Sequence, residues 1–275
     1  MRLSDMLFAF FIGSCICQTT LISCQKKTHN PNLPPEYQSG GTFIKSLPYH
    51  NPDSCVLLIR QYVPAHWQGA AYENLFLDGP EVSPIELGFK HLDWYEKNFP
   101  ADSAHEFAQL FRGLLYDRVN KLDSAVRCLE EAHQSAVRNG RMLRANDAQV
   151  FLAGVYYTQG NTAQAIRAQL KAYNAIADLD STQNARKFVS LSNIGNAYSQ
   201  SGNNREALHW AKKALELAEK DKNTAFSGGK GGAFHRVAII YQRLGLLDSA
   251  LLMGQIALNF SRQNPSQGNQ IEAFL

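Results

Sequence analysis

Residues 190–218 read SLSNIGNAYSQSGNNREALHWAKKALELA, and their spacing decides the fold. Ile194, Gly195 and Tyr198 lie within one helical turn of each other, on one side of a first helix. Gly202 follows, the residue that most readily takes the left-handed backbone that ends a helix. Ala207 and Ala214 then place small residues on the buried stripe of a second helix. A glycine and an alanine at the crossing let two antiparallel helices approach closely.

Three further segments lie in register with this one. FLAGVYYTQGNTAQAIRAQLKAYNA carries Leu152, Ala153, Tyr156, Gly160, Ala165 and Ala172 at the same offsets. RVAIIYQRLGLLDSALLMGQIAL carries Val237, Ala238, Tyr241, Gly245, Ala250 and Ala257. RGLLYDRVNKLDSAVRCLEEA keeps Gly113, Tyr116, Ala125 and Ala132, with Asn120 in place of the glycine. The tyrosines 116, 156, 198 and 241 recur at intervals of 40, 42 and 43 residues. Asn161-Thr162 and Asp248-Ser249 are expected to cap the second helices.

The pattern resembles the tetratricopeptide repeat, in a long-period variant similar to that of kinesin light chains. That resemblance implies an all-α fold, a right-handed superhelical solenoid of antiparallel helix pairs. No single pair can bury its apolar face alone, so neighbours must stack. The array is expected over 104–275, as four repeats and the start of a fifth at QIEAFL. One more period beyond Tyr241 passes Leu275, so the chain is expected to be a fragment of a longer protein or to end against a partner. Residues 51–103 contain SCVLLIRQYV, AAYENLFL and PIELGFKHLDWYEKNF, punctuated by Pro64, Pro80 and Pro84. They are expected to form two or three helices covering the N-terminal end of the stack, or a degenerate repeat.

The first residues, MRLSDMLFAFFIGSCICQTTLISCQKK, have a basic Arg2 and an apolar run from Met6 to Ile12 that is too short to span a bilayer. Leu21-Ile22-Ser23-Cys24 resembles the lipobox of bacterial lipoproteins, which implies acylation of Cys24 after loss of residues 1–23. Ile12-Gly13-Ser14-Cys15 is a competing site, and a plain signal peptide with incidental cysteines is the third reading. Residues 24–50 are polar and rich in Pro, Asn and Gly, and are expected to be a flexible tether.

Composition excludes several classes. Twenty-seven basic and 24 acidic residues leave a net charge of +3, with no basic run to follow a phosphate backbone, so no nucleic-acid partner is expected. Cys55 and Cys128 cannot form a disulfide framework or a zinc spacing, and Cys128 reads as a small buried residue. The eight histidines show no metal-binding spacing. Ser227-Gly228-Gly229-Lys230-Gly231-Gly232-Ala233-Phe234 lacks the phosphate-loop signature and is expected to be a flexible connector, with an anion at the next helix N-terminus as the lesser reading. No catalytic, cofactor or metal residue is expected, and the chain is not expected to be an enzyme.

In the tetratricopeptide family the first helices line a concave groove that receives a partner's peptide or helix. Carried over by register, the resemblance implies groove residues Asp117 and Arg118, then Tyr157, then Ser192, Asn196, Ser199 and Gln200, then His235, Gln242 and Arg243. Asn196 stands where members that clamp a C-terminal carboxylate often have Asn, but the Lys and Arg of that clamp are unmatched. The expected function is a membrane-tethered scaffold for protein–protein interaction in the bacterial cell envelope, periplasmic or outer-membrane. Alternatives are the sensor half of an envelope signal transducer or regulator, and a glycan-binding lipoprotein. Expressed in a bacterium, the full chain should lose the residues before Cys24, gain acyl mass and fractionate with membrane, while Cys24→Ala stays uncleaved and soluble. Two soluble, uncleaved proteins would remove the lipid anchor.

Overall fold

The computed structural model describes residues 33–38, 40–78, 85–99, 102–220 and 227–263, and among them every regular element is helical. The helices are α1 (Thr42–Ser46), α2 (Pro52–Tyr62), α3 (Gln68–Asp78), α4 (Ile85–Asn98), α5 (Asp102–Arg118) and α6 (Leu122–Arg138). They continue as α7 (Met142–Thr158), α8 (Thr162–Ile176), α9 (Asn184–Gln200), α10 (Asn204–Lys220), α11 (Ser227–Arg243) and α12 (Leu247–Gln263). The chain divides into two compact units, with the boundary inside α7 between Ala148 and Gln149.

In the second unit α9 packs on α8 and α10, and α11 on α10 and α12. The crossing of α9 and α10 turns on Gly195. A Cβ there would stand 3.3 Å from the Ala207 carbonyl oxygen and 3.3 Å from the Ala211 nitrogen. Ala207 and Ala218 are wholly buried, so the α10 backbone itself forms the contact surface. In the first unit Gly113 has the same place in α5, where a Cβ would fall 2.5 Å from Leu129 Cγ on α6. Tyr198 and Tyr241 pack against the cluster of Ala207, Ala211, Val237 and Ile240, between successive pairs.

Gly160, Gly202 and Gly245 all have positive φ, between 72° and 82°, as the helix ends require. Asn120 takes the same role at φ 57°, because asparagine tolerates the left-handed region better than other side chains. Asn161 caps α8 by accepting from the Gln164 amide at 3.2 Å. Asn203 does the same for α10 from Glu206 at 3.3 Å. The expected Asp248 cap is displaced: α12 begins at Leu247, so Asp248 lies in its first turn, where its charge faces the positive end of the helix dipole.

Three other expectations change. Residues 33–50 are packed rather than free: Leu33, Ile44 and Tyr49 are buried, the last two within the core of the first unit. The remainder of the expected tether, 24–32, lies outside the described residues, as do Cys24 and the QIEAFL segment. The glycine-rich run is the beginning of α11 and not a connector. Ala233 there is buried among Ala214, Ala218, Phe188 and Leu191, and that packing outweighs the roughly 1 kcal/mol that each helical glycine costs. Cys128 is only half-buried.

The N-terminal helices form a core of their own. Asn51 caps α2 at the Ser54 amide, and Pro52 occupies the first helical turn. Fully buried His91 stacks on Tyr49 at 4.3 Å, with Nδ1 2.8 Å from the Tyr72 hydroxyl and Nε2 2.5 Å from the Tyr49 carbonyl. Burial holds its pKa below the usual imidazole value. The neutral ring therefore donates from Nε2 and accepts at Nδ1.

Ala207→Leu should overfill the α9–α10 crossing and cost about 1–3 kcal/mol in urea unfolding. Gly154→Ala, whose Cβ would meet nothing within 4 Å, should be neutral or stabilising by about 0.5–1 kcal/mol. Equal stabilities for the two variants would contradict the register.

Candidate partner-binding face

A helix that turns Gly195 toward its pair partner must turn Asn196 and Gln200 elsewhere, since each residue advances about 100° around the axis. In α9 both are exposed. Ser192, four residues before Asn196, lies on the same side but is buried, and its Oγ has no hydrogen-bond partner. Ser199 completes the stripe and meets α11: Arg243 Nη1 donates to the Ser199 carbonyl at 3.3 Å and to its Oγ. That contact fixes the Arg243 side of α11 toward α9.

On α11, Gln242 and Arg243 are exposed and His235 is half-buried. The His235 pKa is held down first by burial and then by the neighbouring Arg236 charge, so the imidazole is neutral near pH 7. Tyr157 in α7 is half-buried, and its hydroxyl is buried without a hydrogen-bond partner. Burial raises its pKa well beyond the ordinary phenol. These eight residues belong to the second unit. Within it, Ser199 and Arg243 are in direct contact, and Ser192, Asn196, Ser199 and Gln200 share one stripe.

Asp117 and Arg118 belong to the first unit, in the last turn of α5. Burial raises the Asp117 carboxyl, and the Arg118 charge opposes this. Arg118 is exposed.

The first unit also holds polar groups that the sequence did not single out. Glu73 of α3 accepts from the Tyr95 hydroxyl at 2.6 Å and pairs with Arg144 of α7 at 3.4 Å. The Arg144 guanidinium also lies over the Phe107 ring, 5.3 Å from its centroid. Phe76 of α3 makes edge contacts with Phe107 and Phe111 of α5. Glu106 pairs with Arg141 at 3.0 Å and accepts from Asn139 at 2.7 Å. Partners 71 residues apart, such as Glu73 and Arg144, leave no local pattern to find.

Among the described residues no group of three or more metal-ligating side chains occurs, and no helix is long and apolar enough to cross a membrane.

Residues 144–220 match the tetratricopeptide repeat family model, which covers α7 from Arg144 through the end of α10. These are the second and third of the four pairs, and this segment is similar to tetratricopeptide repeats. No curated protein matches the chain in sequence. Solved structures of similar fold include BtubC (BKLC) from P. vanneervenii, at 16% identity and TM-score 0.61, covering 81% of this chain and 87% of that one. A signal-transduction ATPase with a tetratricopeptide repeat sensor, from Pyrococcus horikoshii, matches at 16% identity and TM-score 0.63. The match covers 80% of this chain but 33% of that one. Nearly identical TPR-like repeats of the kinesin light chain kind, from Podosopora anserina, match at 16% identity and TM-score 0.56, over 79% and 98% of the two chains. Identities this low establish the helical-solenoid fold and nothing more.

Proposed function

We propose that this chain is a non-catalytic scaffold whose first-helix faces hold a segment of another protein, and that Cys24 tethers it to a membrane of the bacterial cell envelope. The observation that carries the scaffold reading is the α9 stripe. Asn196 and Gln200 stand exposed on a helix that packs on α8 and α10 and is joined to α11 by the Arg243–Ser199 hydrogen bond. Each amide offers a donor pair and an acceptor, the groups that bind a peptide backbone. Arg243, fastened to Ser199, holds the neighbouring helix so that its own polar residues border the stripe. Repeat stacks of this kind present preformed surfaces, which lowers the ordering cost of binding. The tether rests on the Leu21-Ile22-Ser23-Cys24 pattern alone.

A photo-crosslinking amino acid tests the scaffold. Placed at Asn196 or Gln200 in the native host, it should give adducts to one and the same protein. Placed at Lys213, exposed on α10, it should not yield that adduct. Equal capture from Lys213, or none from Asn196 and Gln200, would remove the binding face.

A further inference from the structure

The exposed large hydrophobic side chains described in the second unit lie together at one end of α12. They are Leu246, Leu247, Leu251 and Leu252, each between 50% and 66% exposed. Tyr198 and Tyr241 set the register of this pair against the one before it, at an offset of 43 residues. By that offset Leu246, Leu247 and Leu252 occupy the places of Asn203, Asn204 and His209 on α10. Leu251 takes the place of Leu208, and Leu258 that of Leu215. Leu208 packs against the cluster of Val237 and Ile240, and Leu215 against that of Phe234, all on α11. On α12 Leu251 stands open, and three more leucines replace polar residues around it. A contiguous apolar patch with a polar rim marks a contact surface.

Charge identifies what fits it. The sequence of α12, LDSALLMGQIALNFSRQ, contains one acid, Asp248, and one base, Arg262. Both are exposed, and neither has an ion-pair partner among the described residues. They are separated by about 21 Å along the axis, with Gln255 midway between them. Asp248, Leu251, Gln255, Leu258 and Arg262 follow at alternating steps of three and four residues, the spacing of a seam between paired helices. Rotation about a two-fold axis at Gln255 brings Asp248 onto Arg262 and Arg262 onto Asp248. The same rotation sets Leu252 against Leu258 and Leu251 against Asn259.

We infer that two copies of this chain associate through α12, antiparallel, about a two-fold axis at Gln255. A two-fold contact uses the same patch twice, so one acid and one base give two ion pairs. The leucines that face water in a single copy are covered by the other. A contact of one helix, about 25 Å long, falls below the roughly 800 Å² per partner of a standard interface, so the dimer is reversible. Because α12 is a second helix, this contact is separate from the α9 stripe and does not depend on it.

The test places a photo-crosslinking amino acid at Gln255 of the full chain, expressed in a bacterium. An adduct of twice the chain mass is expected, with the linked peptide drawn from α12 of the second copy. Arg262→Asp sets acid against acid at both ends and should cut the adduct about tenfold. Asp248→Arg/Arg262→Asp restores opposite signs and should return the yield to within about threefold of the original. That exchange sets each charge against its own helix dipole, so a lower melting temperature beside a recovered adduct is expected. Leu251→Glu/Leu252→Glu should remove the adduct. An adduct indifferent to all three variants would overturn the dimer as mere crowding. A crosslink to residues 264–275 of the same chain, to a different protein, or none at all, would overturn it as well.

Discussion

The second unit depends on how closely two helices can approach where Gly195 meets Ala207 and Ala211. With a Cβ at 3.3 Å from backbone atoms of the neighbouring helix, a side chain larger than hydrogen strains the contact. The close crossing fixes the rotation of α9, because only one side of that helix can be turned to α10. Tyr198 then falls between successive pairs, and Asn196 and Gln200 fall on solvent. The proposed binding face is thus a by-product of a packing constraint. Its residues make no contribution to the crossing and are open to variation for partners.

The two units place their ion pairs differently. The Lys220–Glu216 pair on α10 of the second unit is exposed and contributes little to stability. In the first unit the Glu73–Arg144 pair is almost out of water, where removing one partner is costly.

The helix pairs were legible because their determinants are local: a small residue at the crossing, a left-handed residue at the turn, and a period that repeats both. Even Asn120 could be placed by register before its positive φ was known. The segment from Leu33 to Asn98 was not legible to the same degree. Its core joins Ile44, Tyr49, Tyr72 and Tyr95 across long sequence separations, and a polar, proline-rich composition hid the buried residues. The glycine-rich start of α11 misled for a related reason. Local propensity opposes helix there, and only burial of Ala233 against α10 reverses it. Within the proposed face, register placed Asn196, Gln200 and Gln242 on solvent. It could not show that Ser192 is buried or that Ser199 holds Arg243.

The rotation of α9 is the claim on which the binding face stands, and thiol accessibility measures it directly. Single cysteines at Ile194, Asn196, Ala197 and Gln200 would be timed against a maleimide in the folded full chain, with the native cysteines as background. The account predicts rapid labelling at Asn196 and Gln200 and protection at Ile194 and Ala197. Uniform rates, or protection at Asn196 with rapid labelling at Ala197, would mean that α9 is turned differently and that the face is not the one described.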